Sequence, residues 1–264
     1  MNIKPEFHHN YKNLTRAEVM DAHTSGRTIT GFVEGVIENR NALKVHIGQE
    51  LYAQLPFSEV TIYPLRYNSR NKSELPTNIR CLLHRKVRVK VTVVTSTYIE
   101  VSRKKNMEEA LEEIKKCEKL PMYVTQVIDR SAFGDIGEGI CGKLFINEVS
   151  QCHIHKVGEY ISAGQTIDVV ILEPDNEQRV NVSYKQSFKP YCKEDYYIGM
   201  NICCKVGDWI QVADTSSYYV NIAPQVSGIM TINEHKHIKY GSDVECVVTG
   251  VGEKGLFLKF TKLL

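Results

Sequence analysis

KVRVKVTVV, residues 86–94, alternates strictly: Val87, Val89, Val91 and Val93 fall on one face, Lys86, Arg88, Lys90 and Thr92 on the other. A period of two is the mark of a half-buried β-strand, here with a basic outer surface. Extended to VRVKVTVVTSTYIEVSRKK (87–105), the stretch becomes a valine-rich hairpin. It has two counterparts, IDVVILEPDNEQRVNVSYKQ (167–186) and VECVVTGVGEKGLFLKFTK (244–262). Upstream of each lies another set of three: FVEGVIENRNALKVHI (32–47), YVTQVIDRSAFGDI (123–136) and KVGDWIQVADTSSYYVNI (205–222). Between them sit LPFSEV (55–60), LFINEVS (144–150) and IMTINEH (229–235). The chain is therefore read as three copies of one unit, near 25–105, 121–187 and 197–264.

Working outward, strands are expected at 28–37, 42–47, 98–102, 123–129, 140–146, 166–173 and 179–184. A third set is expected at 201–212, 218–222, 228–232, 243–251 and 255–260. Many short strands broken by Gly, Asn, Asp and Pro turns point to small antiparallel barrels, an all-β fold. Two short helices interrupt the pattern. Thr15 and Glu18 form a capping box that opens one, and Gly26 ends it. Asn106 is expected to cap MEEALEEIKKCEK, with Met107, Ala110, Leu111 and Ile114 on one face and a Glu112–Lys116 pair on the other.

The unit spacing and its closing motifs carry a likeness. SAFGDIGEGICGKLFINEVS (131–150) resembles the "GAFVDLG…GLVHISELS" of the S-one motif, the RNA-binding OB-fold repeat named after the first protein of the bacterial small ribosomal subunit. DNEQRVNVSYKQ (175–186) resembles that family's "D…RRISLSLKQ", and YYVNIAPQVSGIMTINE (218–234) supplies the match in the third unit. The first unit, through QLPFSEVTIYPLR (54–66) and SRKK (102–105), resembles the variant repeat near the start of that ribosomal protein. The resemblance implies three tandem five-stranded OB-fold barrels over 25–105, 121–190 and 191–264, after a helical lead (1–24) and around a linker helix (106–120).

It also implies a site. The family places aromatics on the second strand, a histidine on the third and an arginine on the fifth; bases stack on the rings and cations hold phosphates. Carried onto the second unit, these are Phe133 as the aromatic, Phe145 at the histidine position, Arg130 where a second aromatic is usual, and Arg179 as the cation. The third unit offers Tyr219 with Tyr218, and Lys254, with Thr231 where histidine is usual. In the first unit Lys44 takes the aromatic place and Pro56 the histidine place. Arg85, Lys86, Arg88 and Lys90 form a basic face for RNA phosphates or an acidic partner. The implied partners are single-stranded RNA, messenger RNA above all, and the small ribosomal subunit.

Composition bounds these expectations. Of 264 residues 42% are apolar and 24% charged, which is the balance of a globular chain rather than a disordered one. The net charge of +2 hides a gradient: residues 1–105 carry +8 and each later segment is slightly acidic. Stacking is thus expected from the second and third units, and charge steering or docking from the first. No apolar run is long enough for a membrane span, and MNIKPEFHHNYKN has no apolar core, so it does not read as a signal peptide. Eight cysteines without an export signal suit reduced thiols in a cytoplasm.

Other signals are discounted. GEGICGK (137–143) satisfies GxGxxG, but LFI follows where a phosphate-binding loop needs a helix to begin. Cys141, Cys152, His153 and His155 lack the paired spacing of a zinc site, and Cys192, Cys203 and Cys204 do not supply it. No catalytic set, cofactor, metal or small-molecule substrate is expected. The competing functions are a protein-interaction or ribosome-docking adapter, and an accessory module of a nuclease or transcription complex.

Overall fold

The computed structural model describes residues 3–67, 74–174, 179–212, 215–232 and 237–264. Parts of three sequence motifs (175–178, 213–214 and 233–235) lie outside the described residues. Alternating strands close into three barrels. The first holds β1 (Thr28–Ile37), β2 (Ala42–Gly48), β3 (Leu51–Pro56), β4 (Lys86–Val94) and β5 (Ile99–Ser102). The second holds β6 (Lys119–Ile128), β7 (Ser131–Asp135), β8 (Cys141–Phe145), β9 (Thr166–Pro174) and β10 (Val180–Ser183). The third holds β11 (Asn201–Val212), β12 (Thr215–Ala223), β13 (Val226–Thr231), β14 (Asp243–Val251) and β15 (Leu256–Leu263).

Each barrel orders its strands alike: first, second, third, fifth, fourth, and back to the first. The third and fifth strands pair in parallel in all three, which is the closure of an OB-fold. The fold is therefore all-β, three tandem five-stranded OB barrels, as the repeats implied.

The barrels form because alternation drives one face of every strand inward. Val87, Val89 and Val101 are fully buried in the first barrel with Leu43, Val45 and Leu55. Cys204, Val206, Val220, Met230, Val248 and Leu258 do the same in the third. Burying a side chain of this kind contributes about 1.5–3 kcal/mol.

Among the described residues three α-helices occur: α1 (Arg16–Ser25), α2 (Thr77–Arg80) and α3 (Lys104–Ile114). Thr15 and Glu18 cap α1 reciprocally, and Gly26 ends it at φ 66°, where a side chain would strain. The expected cap of α3 is corrected. Arg103 precedes the helix, and Asn106 is fully buried inside it, accepting from the Thr28 hydroxyl and donating to Glu138. Its amide is spent on long-range partners, so it cannot fold back on its own helix start. The outer face of α3 uses pairs three apart, Glu112–Lys115 and Glu113–Lys116.

The chain divides into two compact units. One gathers residues up to 122 with 135–141 and 174–179; the other gathers 123–134, 142–173 and 180–264. The GEGICGK segment forms the turn between β7 and β8, with positive φ at Gly137, Glu138 and Gly139, and β8 follows it directly. No helix starts there, so its glycines serve the turn.

Candidate nucleic-acid interface

In the third barrel the pairing register aligns one outward row. Tyr219 on β12 pairs with Ile229 on β13, and Ile229 pairs with Phe257 on β15. Their neighbours Tyr218, Val220, Met230, Leu256 and Leu258 are buried, so alternation sends the row outward. Tyr219 is 47% exposed and Phe257 52%. With Lys254 and Gly252–Gly255 of the β14–β15 turn they line a groove of about 440 Å³. Gly255 is required beside it, since a Cβ there would sit 2.6 Å from the Ser227 carbonyl. Two flat rings beside a cation form a stacking platform of the kind that grips unpaired bases.

Tyr218 does not join that platform. It is 2% exposed, and its hydroxyl accepts from the Ile238 backbone N–H. Adjacent residues of a strand point to opposite faces, so Tyr218 and Tyr219 cannot share one. Thr231 is half-buried and its hydroxyl donates to the Leu258 carbonyl.

In the second barrel Phe133 lies on β7, the strand equivalent to β12, and is half-buried. Phe145, at the end of β8, is exposed with the Lys143 ammonium 4.4 Å from its ring centre. Lys143 in turn pairs in register with Asn181 on β10. Arg130 is exposed on the turn before β7, and Arg179 is half-buried just before β10. Phe133 thus sits on the second strand of this barrel and Phe145 at the end of the third, with a lysine over the Phe145 ring.

The first barrel uses its charges differently. Arg88 donates from Nε to Glu138 at 2.9 Å and from Nη1 to Thr30 at 3.1 Å. Lys90 pairs with Glu109, and Lys86 reaches the His9 carbonyl at 3.5 Å. Arg85 is exposed. Lys44 lies 3.0 Å from Glu34 and its ammonium sits 3.7 Å over the Tyr52 ring. Tyr11 and Tyr52 flank His46, with ring centres 5.7 and 5.2 Å away. The basic face expected to meet phosphates is thus largely committed to carboxylates and carbonyls of its own unit.

Behind that face lies a buried ionic cluster. Arg103 donates from Nε and Nη2 to both Glu6 oxygens, at 2.9 and 2.8 Å, and from Nη1 to the Val60 carbonyl. Asp135 accepts from the backbone N–H groups of Glu6, Gly137 and Gly139. Burial and the Glu6 carboxylate push Asp135 up to about 7, against the pull of the Glu6 and Gly137 N–H groups and of Arg103. Burial, the largest influence on Arg103, works against its charge, but Glu6 together with Asp135 and Tyr63 raises its pKa on balance, so the guanidinium stays charged.

Sequence reasoning missed Phe257, Tyr52, His46 and the exposed Trp209. For Phe257 a signal existed: in LFLKF (256–260) the leucines alternate inward, which turns the phenylalanine out.

No family model matches the chain. It is 28% identical over 179 residues to the small ribosomal subunit protein bS1 of Staphylococcus saprophyticus, covering 66% of this chain and 42% of that one. It is 26% identical over 209 residues to bS1 of Rhizobium meliloti, covering 76% and 35%. The chain is similar to the bS1 proteins. It spans about two fifths of the length of the bS1 relatives it matches. A multidomain protein with nucleic acid binding domains from Streptococcus pneumoniae aligns over 89% of this chain and 73% of its own, at 13% identity and a TM-score of 0.28. The bS1 likeness accords with three tandem S-one-type barrels in register, and no helix among the described residues is long and apolar enough to cross a membrane.

Proposed function

We propose that this chain is a binding protein, not an enzyme, and that it grips single-stranded RNA. The observation that carries this is the pair of exposed rings, Tyr219 and Phe257, across half-buried Ile229 and beside Lys254. The second barrel adds Phe133 and Phe145 with Lys143, Arg130 and Arg179. Three modules, near 25–105, 121–190 and 191–264, act together, so weak individual grips add through effective concentration. Messenger RNA at the small ribosomal subunit is the ligand that the bS1 relationship favours, with a cytoplasmic place to match.

A second reading assigns the first barrel to docking. Its favouring observation is that Arg88 and Lys90 are engaged by Glu138 and Glu109.

The test is fluorescence anisotropy with a labelled poly-pyrimidine oligonucleotide. Tyr219→Ala and Phe257→Ala each weaken binding by about 1–3 kcal/mol, the worth of one stacked base. Wild-type affinity in the double variant would remove the platform from consideration.

A further inference from the structure

Outside the RNA row, the second compact unit gathers a set of donors that neither the bS1 relationship nor the platform uses. His153 and His155 lie on the loop after β8, two residues apart, with Ile154 between them buried at 4% exposure. That anchor turns both imidazoles the other way. Asp208 comes from β11, where the ladder shifts register between Val206 and Trp209. A bulge of this kind re-aims a side chain out of the regular row. His153 Nδ1 meets one Asp208 oxygen at 2.9 Å and His155 Nε2 meets the other at 2.9 Å. All three ligand atoms fall within 4.8 Å of one another.

We propose that His153, His155 and Asp208 bind a divalent first-row metal ion of the zinc class. The donor set is two imidazole nitrogens and a carboxylate, which suits borderline ions rather than calcium or magnesium. Tetrahedral zinc with bonds of ~2.0–2.1 Å holds its ligand atoms ~3.3 Å apart. The two 2.9 Å contacts, one to each Asp208 oxygen, would open by a few tenths of an ångström, and the remaining donor separations, all within 4.8 Å, would settle to that spacing as the exposed side chains turn. The ion replaces the protons that now bridge each nitrogen to the carboxylate, and water completes its coordination on the exposed side.

The surroundings hold one ligand in place without ligating. Tyr240 stacks on the His155 ring at 4.2 Å and 12°. Its hydroxyl accepts from the His155 backbone N–H and donates to Glu159 at 2.8 Å. These contacts fix the plane of the His155 ring and the backbone that carries it. Cys152, one residue before His153, is directed elsewhere: its thiol donates to the Val220 carbonyl. The bound ion would fasten the β8–β9 loop of the second barrel to β11 of the third.

The experiment is calorimetric titration of the reduced full chain with Zn²⁺, together with the visible spectrum of the Co²⁺ complex. The expected result is one equivalent bound, an affinity loss of at least tenfold in His153→Ala, His155→Ala and Asp208→Asn, and a smaller loss in Tyr240→Phe. The Co²⁺ spectrum shows no thiolate charge-transfer band. Unchanged circular dichroism in the variants separates lost ligation from lost folding. No binding, full affinity in Asp208→Asn, or a thiolate band that assigns the metal to the cysteines would each overturn the proposal.

Discussion

The basic strand of the first barrel and the aromatic row of the third invite opposite guesses from sequence. β4 carries Lys86, Arg88 and Lys90 at alternate positions and looks made for phosphate. In the structure Arg88 is bound to Glu138 and Lys90 to Glu109, while Tyr219 and Phe257 stay about half exposed. A cation far from its partner in sequence can be neutralised by folding. An aromatic on the outer face of a barrel strand has no such sink and remains available. Folding therefore spends the charges of one barrel on internal partners and leaves an exposed aromatic row on the other.

The largest test of that contrast is Arg103→Ala. Arg103 is buried and paired in two places with Glu6, and Asp135 lies in the same cluster. Removing the guanidinium leaves buried carboxylates uncompensated, at a cost of about 3–5 kcal/mol. Urea unfolding measures it. A loss under about 1 kcal/mol would show that these first-unit charges are not structural.

A smaller effect follows from Asp135, whose carboxyl titrates near 7 in the fold and near 4 when unfolded. Between those values the native state holds a proton that the unfolded state has released. Stability from this group is therefore full at low pH and falls as pH rises from about 4 to about 7, by at most ~1.4 kcal/mol per pH unit. Asp135→Asn removes that dependence. The difference in unfolding free energy between wild type and variant should decline across this window and flatten above it. A difference that is flat throughout would mean that the buried carboxyl is protonated no more in the fold than in the unfolded chain across this window.

The barrels were legible because their strands alternate, and β1, β11 and β14 run over the ranges that the alternation gives. β7 was harder, since SAFGD has only small residues around one aromatic and no alternation of its own. The site was legible only in part. Tyr219 follows from repeat register, but neighbouring Tyr218 required the pleat to be applied residue by residue. Arg103 within SRKK reads as one more surface cation, because Glu6 is 97 residues away. His153 and His155 were set aside for want of a cysteine pair; their third donor, Asp208, lies 53 residues beyond His155 and meets them only once two barrels have folded.

The finest test weighs two lysines against each other. On a single strand, each phosphate contact that releases a counterion contributes about 0.7 to the slope of log affinity against log salt. Lys254 is exposed on the lip of the aromatic groove, so Lys254→Ala should lower that slope by about 0.7. Lys90 carries the same formal charge, but Glu109 already balances it, and its side chain is only 14% exposed. Binding RNA there would first have to break the pair, so Lys90→Ala should leave the slope unchanged. Titrations of a poly-pyrimidine oligonucleotide across a salt series read both. A slope change in Lys90→Ala equal to that in Lys254→Ala would return the β4 face to the interface and erase the distinction between the barrels.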